Sequence, residues 1–374
     1  GFSLNCVRLE MRYLVILILT LCAYQSNAQR ITNYLDVKFG KGFLVAHRPN
    51  MRHLIQDHST FFEVSYNTRA VKQDHLSSYY PDTETGAALA YVNPGNPQVL
   101  GHCIGIYPFI RFKLGEHHAI PKLKIGAGLG YVSKPFDQKG NFTNNAIGSY
   151  FNSIVNFSLE NEINIGESHL KYGLAFTHFS NAAFSAPNLG LNLPSLYLGY
   201  ALPLRYIHFT PAYFIKPEQM NLRRQHEVFL SGGVREVSLH NPKKYGVGSL
   251  TYQYLHQFSN KLAWSAGADI FFNPSLKAQT DPGYSNMINW QFGTYAGLEV
   301  LFNGNSLFVQ QGLYPYSEYK GNGWRYNRIG FRKRFGNGLI ATVGLKTHLV
   351  VAEYFELSVG YRFQGKKETI EVDE

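Results

Sequence analysis

At 374 residues the chain could hold two ordinary soluble domains or one long membrane barrel, so length alone decides nothing. Composition decides more: 15% of residues are aromatic, only 16% are charged and 35 are glycine, which suits many strands with aromatic girdles better than helices. The formal net charge of +10 fits phosphate-bearing partners such as anionic lipid head groups, and the export signal described next excludes nucleic acid as a partner.

From Met11 the chain reads "MRYLVILILTLCAYQSNAQ". A basic start at Arg12, an apolar run from Leu14 to Leu21 and a small-residue exit at Ala28 have the layout of a secretory signal peptide. Residues 1–28 are therefore expected to be upstream residues plus a signal, cleaved after Ala28. Leu21 ahead of Cys22 argues against lipoprotein processing, which wants a small residue there. Beyond Ala28 no stretch approaches the roughly 18 to 20 apolar residues that a membrane helix needs, so a membrane-spanning mature chain must be a barrel. Cys103 is the one cysteine left after cleavage, which rules out an intrachain disulfide and predicts a small buried side chain.

Residues 29–58 are expected to add a strand pair or a short periplasmic segment. From there period-two alternation recurs. "CIGIYPFIRFKL" sets Ile104, Ile106, Ile110 and Phe112 against Gly105, Tyr107, Arg111 and Lys113. "FNSIVNFSLENEI" sets Phe151, Val155, Phe157 and Leu159 against Asn152, Asn156, Ser158 and Glu160. Strands are predicted at 60–69, 102–114, 122–133, 147–165, 168–180, 192–203, 226–238, 246–257, 262–272, 289–301, 306–314, 324–335, 338–349 and 355–363. Short turns such as "GE" at 166 alternate with long connections, as in outer-membrane barrels. Two connections break the alternation: 204–225 is long where a short turn is expected, and the last hairpin is tight. The expectation is an all-β, antiparallel transmembrane β-barrel in the bacterial outer membrane. It spans 59–363 with about fourteen strands, twelve or sixteen being the alternatives, and ends in a solvated tail at 364–374.

Side chains two apart on a strand point the same way. His178 and Ser180 therefore continue the apolar row of Leu170, Tyr172, Leu174 and Phe176, and Asn192 continues that of Leu196, Leu198 and Tyr200. An unpaired hydroxyl or imidazole in such a setting loses roughly 2 to 7 kcal/mol of solvation unless it is hydrogen-bonded. The trio could perform nucleophilic acyl transfer: His178 takes the Ser180 proton, the hydroxyl attacks an ester carbonyl, and a third group fixes the imidazole tautomer. Asn181 and Asn188 add amide donors suited to an oxyanion. Parity from a periplasmic N-terminus puts the 181–191 loop outside, so the substrate would be an outer-leaflet ester. The competing reading is that His178 and Ser180 merely end a strand at the membrane interface.

At these residues, "HFSNAAFSAPNLGLN" resembles the signature of the lipid A 3-O-deacylases of PagL type, acyloxyacyl hydrolase-like outer-membrane barrels. His178, Ser180, Asn181, Pro187, Asn188 and Gly190 stand at the family's spacing. "IGAGLGYV" and "NNAIGSYFNS" resemble its preceding strands, so the likeness covers about 55–203 and leaves 204–363 as additional strands. The resemblance implies a cofactor-free esterase acting on lipid A or lipopolysaccharide, with Ser180 as nucleophile, His178 as base and Asn188 as an oxyanion donor. The family's triad acid is a Glu at the place where this chain has Asn192, which can orient an imidazole without stabilising its charge. Glu160 and Glu162 fall on the inward parity and cannot replace it.

The remaining candidates are weak. His117 and His118 adjoin in a turn without the spaced partners of a zinc site, so no metal is expected. Arg332, Lys333 and Arg334 read as interfacial charges. The rival functions are a non-catalytic barrel, pore or structural, that keeps the loop, and an esterase acting on outer-leaflet phospholipid.

Overall fold

The computed structural model describes residues 31–70, 83–115, 121–206, 224–239, 241–259, 261–280, 283–302, 304–349 and 351–364. The expected signal and cleavage site, His117 and His118, and most of the C-terminal tail lie outside these residues. No described helix is long and apolar enough to cross a membrane.

Among the described residues, sixteen antiparallel strands form two separate closed barrels of eight. The first contains β1 (Ile31–Gly42), β2 (Ser59–Ala70), β3 (Glu84–Asn93), β4 (Cys103–Lys113), β5 (Lys122–Val132), β6 (Phe151–Ile165), β7 (Ser168–Ser180) and β8 (Leu191–Tyr206). The second contains β9 (Arg224–Ser238), β10 (Asn241–Gln257), β11 (Leu262–Phe272), β12 (Trp290–Phe302), β13 (Asn305–Ser317), β14 (Arg325–Arg334), β15 (Leu339–His348) and β16 (Val351–Gln364). This corrects the expected single barrel of about fourteen strands. β1 closes on β8, with Phe39 opposite Leu198, and β9 closes on β16, with Phe229 opposite Gly360. Each meander thus satisfies its own edges, which an open strand would leave unpaired. The long 204–225 connection is where one barrel ends and the next begins.

The burial pattern is that of a lipid-facing barrel. Outward residues are large, apolar and exposed: Phe39, Leu129, Leu196 and Leu198 in the first barrel, Leu230, Leu298, Leu357 and Val359 in the second. Inward residues are polar and buried. In the first lumen Arg111 pairs with Asp36 at 3.3 Å and Glu160 at 3.2 Å and also with Glu84, while Lys171 meets Asp36 at 2.7 Å and Lys124 meets Glu63 at 2.6 Å. In the second, Arg328 pairs with Asp269 at 2.7 Å and Glu356 at 2.9 Å, and Lys346 with Glu353 at 2.7 Å. Arg332 and Arg334 belong to this second network, reaching Glu299 and Glu227 inside the barrel, and are not the interfacial charges expected of them. An eight-stranded barrel is just wide enough for its own side chains to fill, and here paired charges fill both lumens.

The end of the first barrel that carries its long loops is closed by an apolar plug. Leu44, Met51 and Leu54, from the β1–β2 loop with its 3-10 turn at Pro49–Leu54, pack with Leu100, Cys103, Ile147, Phe179 and Leu191. Cys103 is buried and free. The plug is the floor beneath the ends of β7 and β8.

Candidate active site

On β7 the inward row runs through His169, Lys171, Ala175, Thr177 and Phe179, all buried, and the outward row through Tyr172, Leu174 and Phe176, all exposed. His178 and Ser180 lie on the outward row at its long-loop end, half-buried and buried respectively. His178 is directly opposite Asn192 on β8 and Val155 on β6, and Ser180 is opposite Ser153 on β6. The register alone therefore gathers the expected trio on one patch of outer wall.

The patch is hydrogen-bonded in a defined order. His178 Nδ1 lies 2.7 Å from Asn192 Oδ1. An amide oxygen can only accept, so Nδ1 carries the proton and Nε2 keeps its lone pair. The other end of the Asn192 amide faces the β1–β2 loop, with Nδ2 donating to His47 Nδ1 at 3.0 Å. His47 was not singled out from the sequence. It stands 145 positions from Asn192, in a segment without periodicity, and only the closure of β1 on β8 brings the two together.

Ser180 Oγ accepts from the Ala182 N–H at 3.2 Å and from Asn188 Nδ2 at 3.3 Å. The Asn188 amide is fixed from behind, because its Oδ1 accepts the Asn181 N–H at 2.9 Å. Asn181 differs from Asn188 in what its side chain does. Its Nδ2 donates to Ser149 Oγ at 2.9 Å and to the Ser185 carbonyl at 2.8 Å, so the side-chain amide is committed to the loop and is not the donor toward Ser180 expected of it; only the backbone N–H of Asn181 reaches Asn188. The His178 ring and the Ser180 hydroxyl share their row without a hydrogen bond between them.

Loop 181–190 is laced to the loop before β6. The Gly190 N–H donates to the Ala146 carbonyl at 2.9 Å, Ser185 Oγ donates to the Gly148 carbonyl at 3.0 Å, and Ile147 and Asn188 form a bridge. Asn144 holds that second loop by accepting from the N–H groups of Ala146 and Ile147. Gly190 is glycine for two reasons: its φ is +80°, and a Cβ there would lie 2.8 Å from His178 Cε1. Space is thereby kept beside the edge of the ring that carries Nε2. Glu160 and Glu162 sit in the first-barrel ion network, away from this patch. Among the described residues no cluster of His, Cys, Asp and Glu could hold a metal ion.

The family described as "Lipid A 3-O-deacylase (PagL)" matches residues 60–201, and the domain described as "Acyloxyacyl hydrolase, C-terminal domain" (PagL_C) matches residues 224–366. The chain belongs to this deacylase family. The two matches divide where the barrels divide, and the deacylase match contains β2 to β8 up to Ala201, with His178, Ser180 and Asn192 in it. No curated protein matches the chain. Solved structures that align with it include variants of the Rhodopseudomonas blastica porin. One is 10% identical and covers 89% of this chain and 100% of its own, with a TM-score of 0.18; another is 9% identical over the same shares, with a TM-score of 0.17. Scores that low bear on neither the fold nor the function.

Proposed function

We propose that the chain is an outer-membrane esterase that hydrolyses an ester-linked acyl chain of lipid A or lipopolysaccharide. The observation that carries the reading is the order of hydrogen bonds on the outer wall. Asn192 holds His178 in the tautomer with a free Nε2, and Ser180 shares its row beneath two N–H donors. In the reaction Nε2 takes the Ser180 proton as Oγ bonds to the ester carbonyl carbon, and the carbonyl electron pair moves onto oxygen. The Ala182 N–H and Asn188 Nδ2 stabilise that oxyanion. Collapse returns the proton from His178 to the departing sugar oxygen and leaves the acyl group on Ser180. Water, deprotonated in turn by Nε2, attacks the acyl carbon; the bond from that carbon to Ser180 Oγ breaks, the proton returns from His178 to Oγ, and the fatty acid leaves.

The outward placement supports a lipid substrate, since an acyl chain lying along Leu174, Phe176 and Leu196 meets the catalytic row without leaving the bilayer. Tyr150 and Phe151, at the start of β6, are exposed, as aromatic residues are at a membrane interface. Lumens filled by paired charges argue against the rival reading of a pore. The test is Ser180→Ala, with lipid A analysed by mass spectrometry. The wild type is expected to remove one ester-linked chain and the variant to lose activity by roughly a thousandfold or more. A variant as active as the wild type would remove Ser180 from the mechanism.

A further inference from the structure

The loop that aims two donors at Ser180 is also held from outside the first barrel. On β9 the inward row includes Glu227, Phe229 and Ser231, so Glu236 falls on the outward row with Leu230 and Val234. A carboxylate on that row is out of place in lipid, yet Glu236 is only 7% exposed. Its partners account for it. The Glu236 N–H donates to the Ala183 carbonyl at 2.8 Å, and its Oε1 accepts the Ala186 N–H at 3.0 Å. Lys244, opposite Glu236 on β10, lies 3.5 Å from its carboxylate, donates to the Phe184 carbonyl and stands 3.7 Å over the Phe184 ring. The β9–β10 hairpin of the second barrel thus grips Ala183, Phe184 and Ala186 of the first.

That segment needs holding. Ala182 and Ala183 have φ of +50° and +61°, a region that side-chain-bearing residues occupy only where their surroundings impose it. Ala182 also supplies one of the two donors on Ser180. We infer that the second barrel is a positioning domain for the first, in which Glu236 and Lys244 fix residues 183–186 so that the Ala182 N–H and the Asn188 amide point at Ser180. Both are positioning residues, since neither touches the reacting atoms. The catalytic consequence rests on the esterase reading, whereas the grip itself rests on the geometry alone.

The test uses the full chain reconstituted with lipid A, as wild type, Glu236→Ala, Glu236→Gln and Lys244→Met. Fatty-acid release gives kcat and KM, and amide hydrogen exchange resolved over 182–188 reports the loop. For Glu236→Ala, exchange over 182–188 should accelerate and kcat should fall by roughly tenfold to a hundredfold, with KM within about twofold. Glu236→Gln keeps the acceptor oxygen and should restore both, and Lys244→Met should give a smaller change of the same kind. Unchanged exchange in Glu236→Ala overturns the grip by the Glu236 side chain, and with it the positioning role inferred for that carboxylate. Faster exchange with an unchanged kcat overturns the positioning role. A wild type that releases no fatty acid defeats the esterase reading, and the exchange measurement then still decides whether the hairpin holds the loop.

Discussion

The two ends of the Asn192 amide are chemically opposite, and the site uses both. With Oδ1 toward His178, Nδ1 carries the proton and Nε2 keeps its lone pair, the tautomer that the proposed mechanism requires; with the amide turned over, Nδ2 would face His178 and select the other tautomer. In a serine protease, an Asp-to-Asn change of that kind costs about ten-thousandfold in turnover. His47 decides between the two orientations here, because its Nδ1 accepts from Asn192 Nδ2 at 3.0 Å. Removing that acceptor should cost about one hydrogen bond's worth of preference, roughly tenfold in kcat for His47→Ala. In an Asn192→Glu background both oxygens accept, the orientation no longer matters, and the same His47 substitution should cost little. Equal losses in the two backgrounds would refute the role given to His47. Asn192 was legible in the sequence because it continues an alternating row. His47 was not, since its place depends on a barrel closure that no local pattern encodes.

The strands were easiest to read where large apolar residues alternate with charged ones, as on β4, β6 and β7. β3 escaped because Gly86, Ala87, Ala88 and Ala90 blur the contrast between its faces, so "ETGAALAYVN" reads as part of a long loop. β1 does alternate, with Leu35, Val37 and Phe39 against Asp36 and Lys38, but it follows closely on the leader-like segment. Loop 181–190 carries the most demanding element-scale geometry, and Gly190 is where that demand can be tested. A methyl group there meets both a φ of +80° and the His178 ring. Gly190→Ala should therefore leave the barrel folded, as judged by heat-modifiable migration on gels, while lowering fatty-acid release by roughly a hundredfold. Wild-type activity in this variant would show that the ring has more room than the backbone allows.

Alternation tells which way a side chain points and nothing about which strand closes on which, so one barrel of fourteen strands and two of eight look alike in the sequence. What separates them physically is where ladder hydrogen bonds end. β8 pairs with β1 and β9 with β16, and each closure surrounds its own charge network. The hairpin grip on the loop involves a handful of groups, few beside eight paired strands, so the barrels should unfold as separate units. All three tryptophans, Trp264, Trp290 and Trp324, belong to the second barrel or its loops, so their fluorescence follows that barrel alone while circular dichroism follows both. Arg111→Met strands Asp36, Glu84 and Glu160 with fewer counter-charges, a change that typically costs about 3 to 5 kcal/mol in a buried pair. It should lower one dichroism transition and leave the fluorescence transition in place. Arg328→Met, which deprives Asp269 and Glu356, should lower the fluorescence transition and leave the other dichroism step unmoved. Substitutions that shift both transitions together would mean that the two barrels are thermodynamically one body, joined by more than the hairpin and the connecting chain.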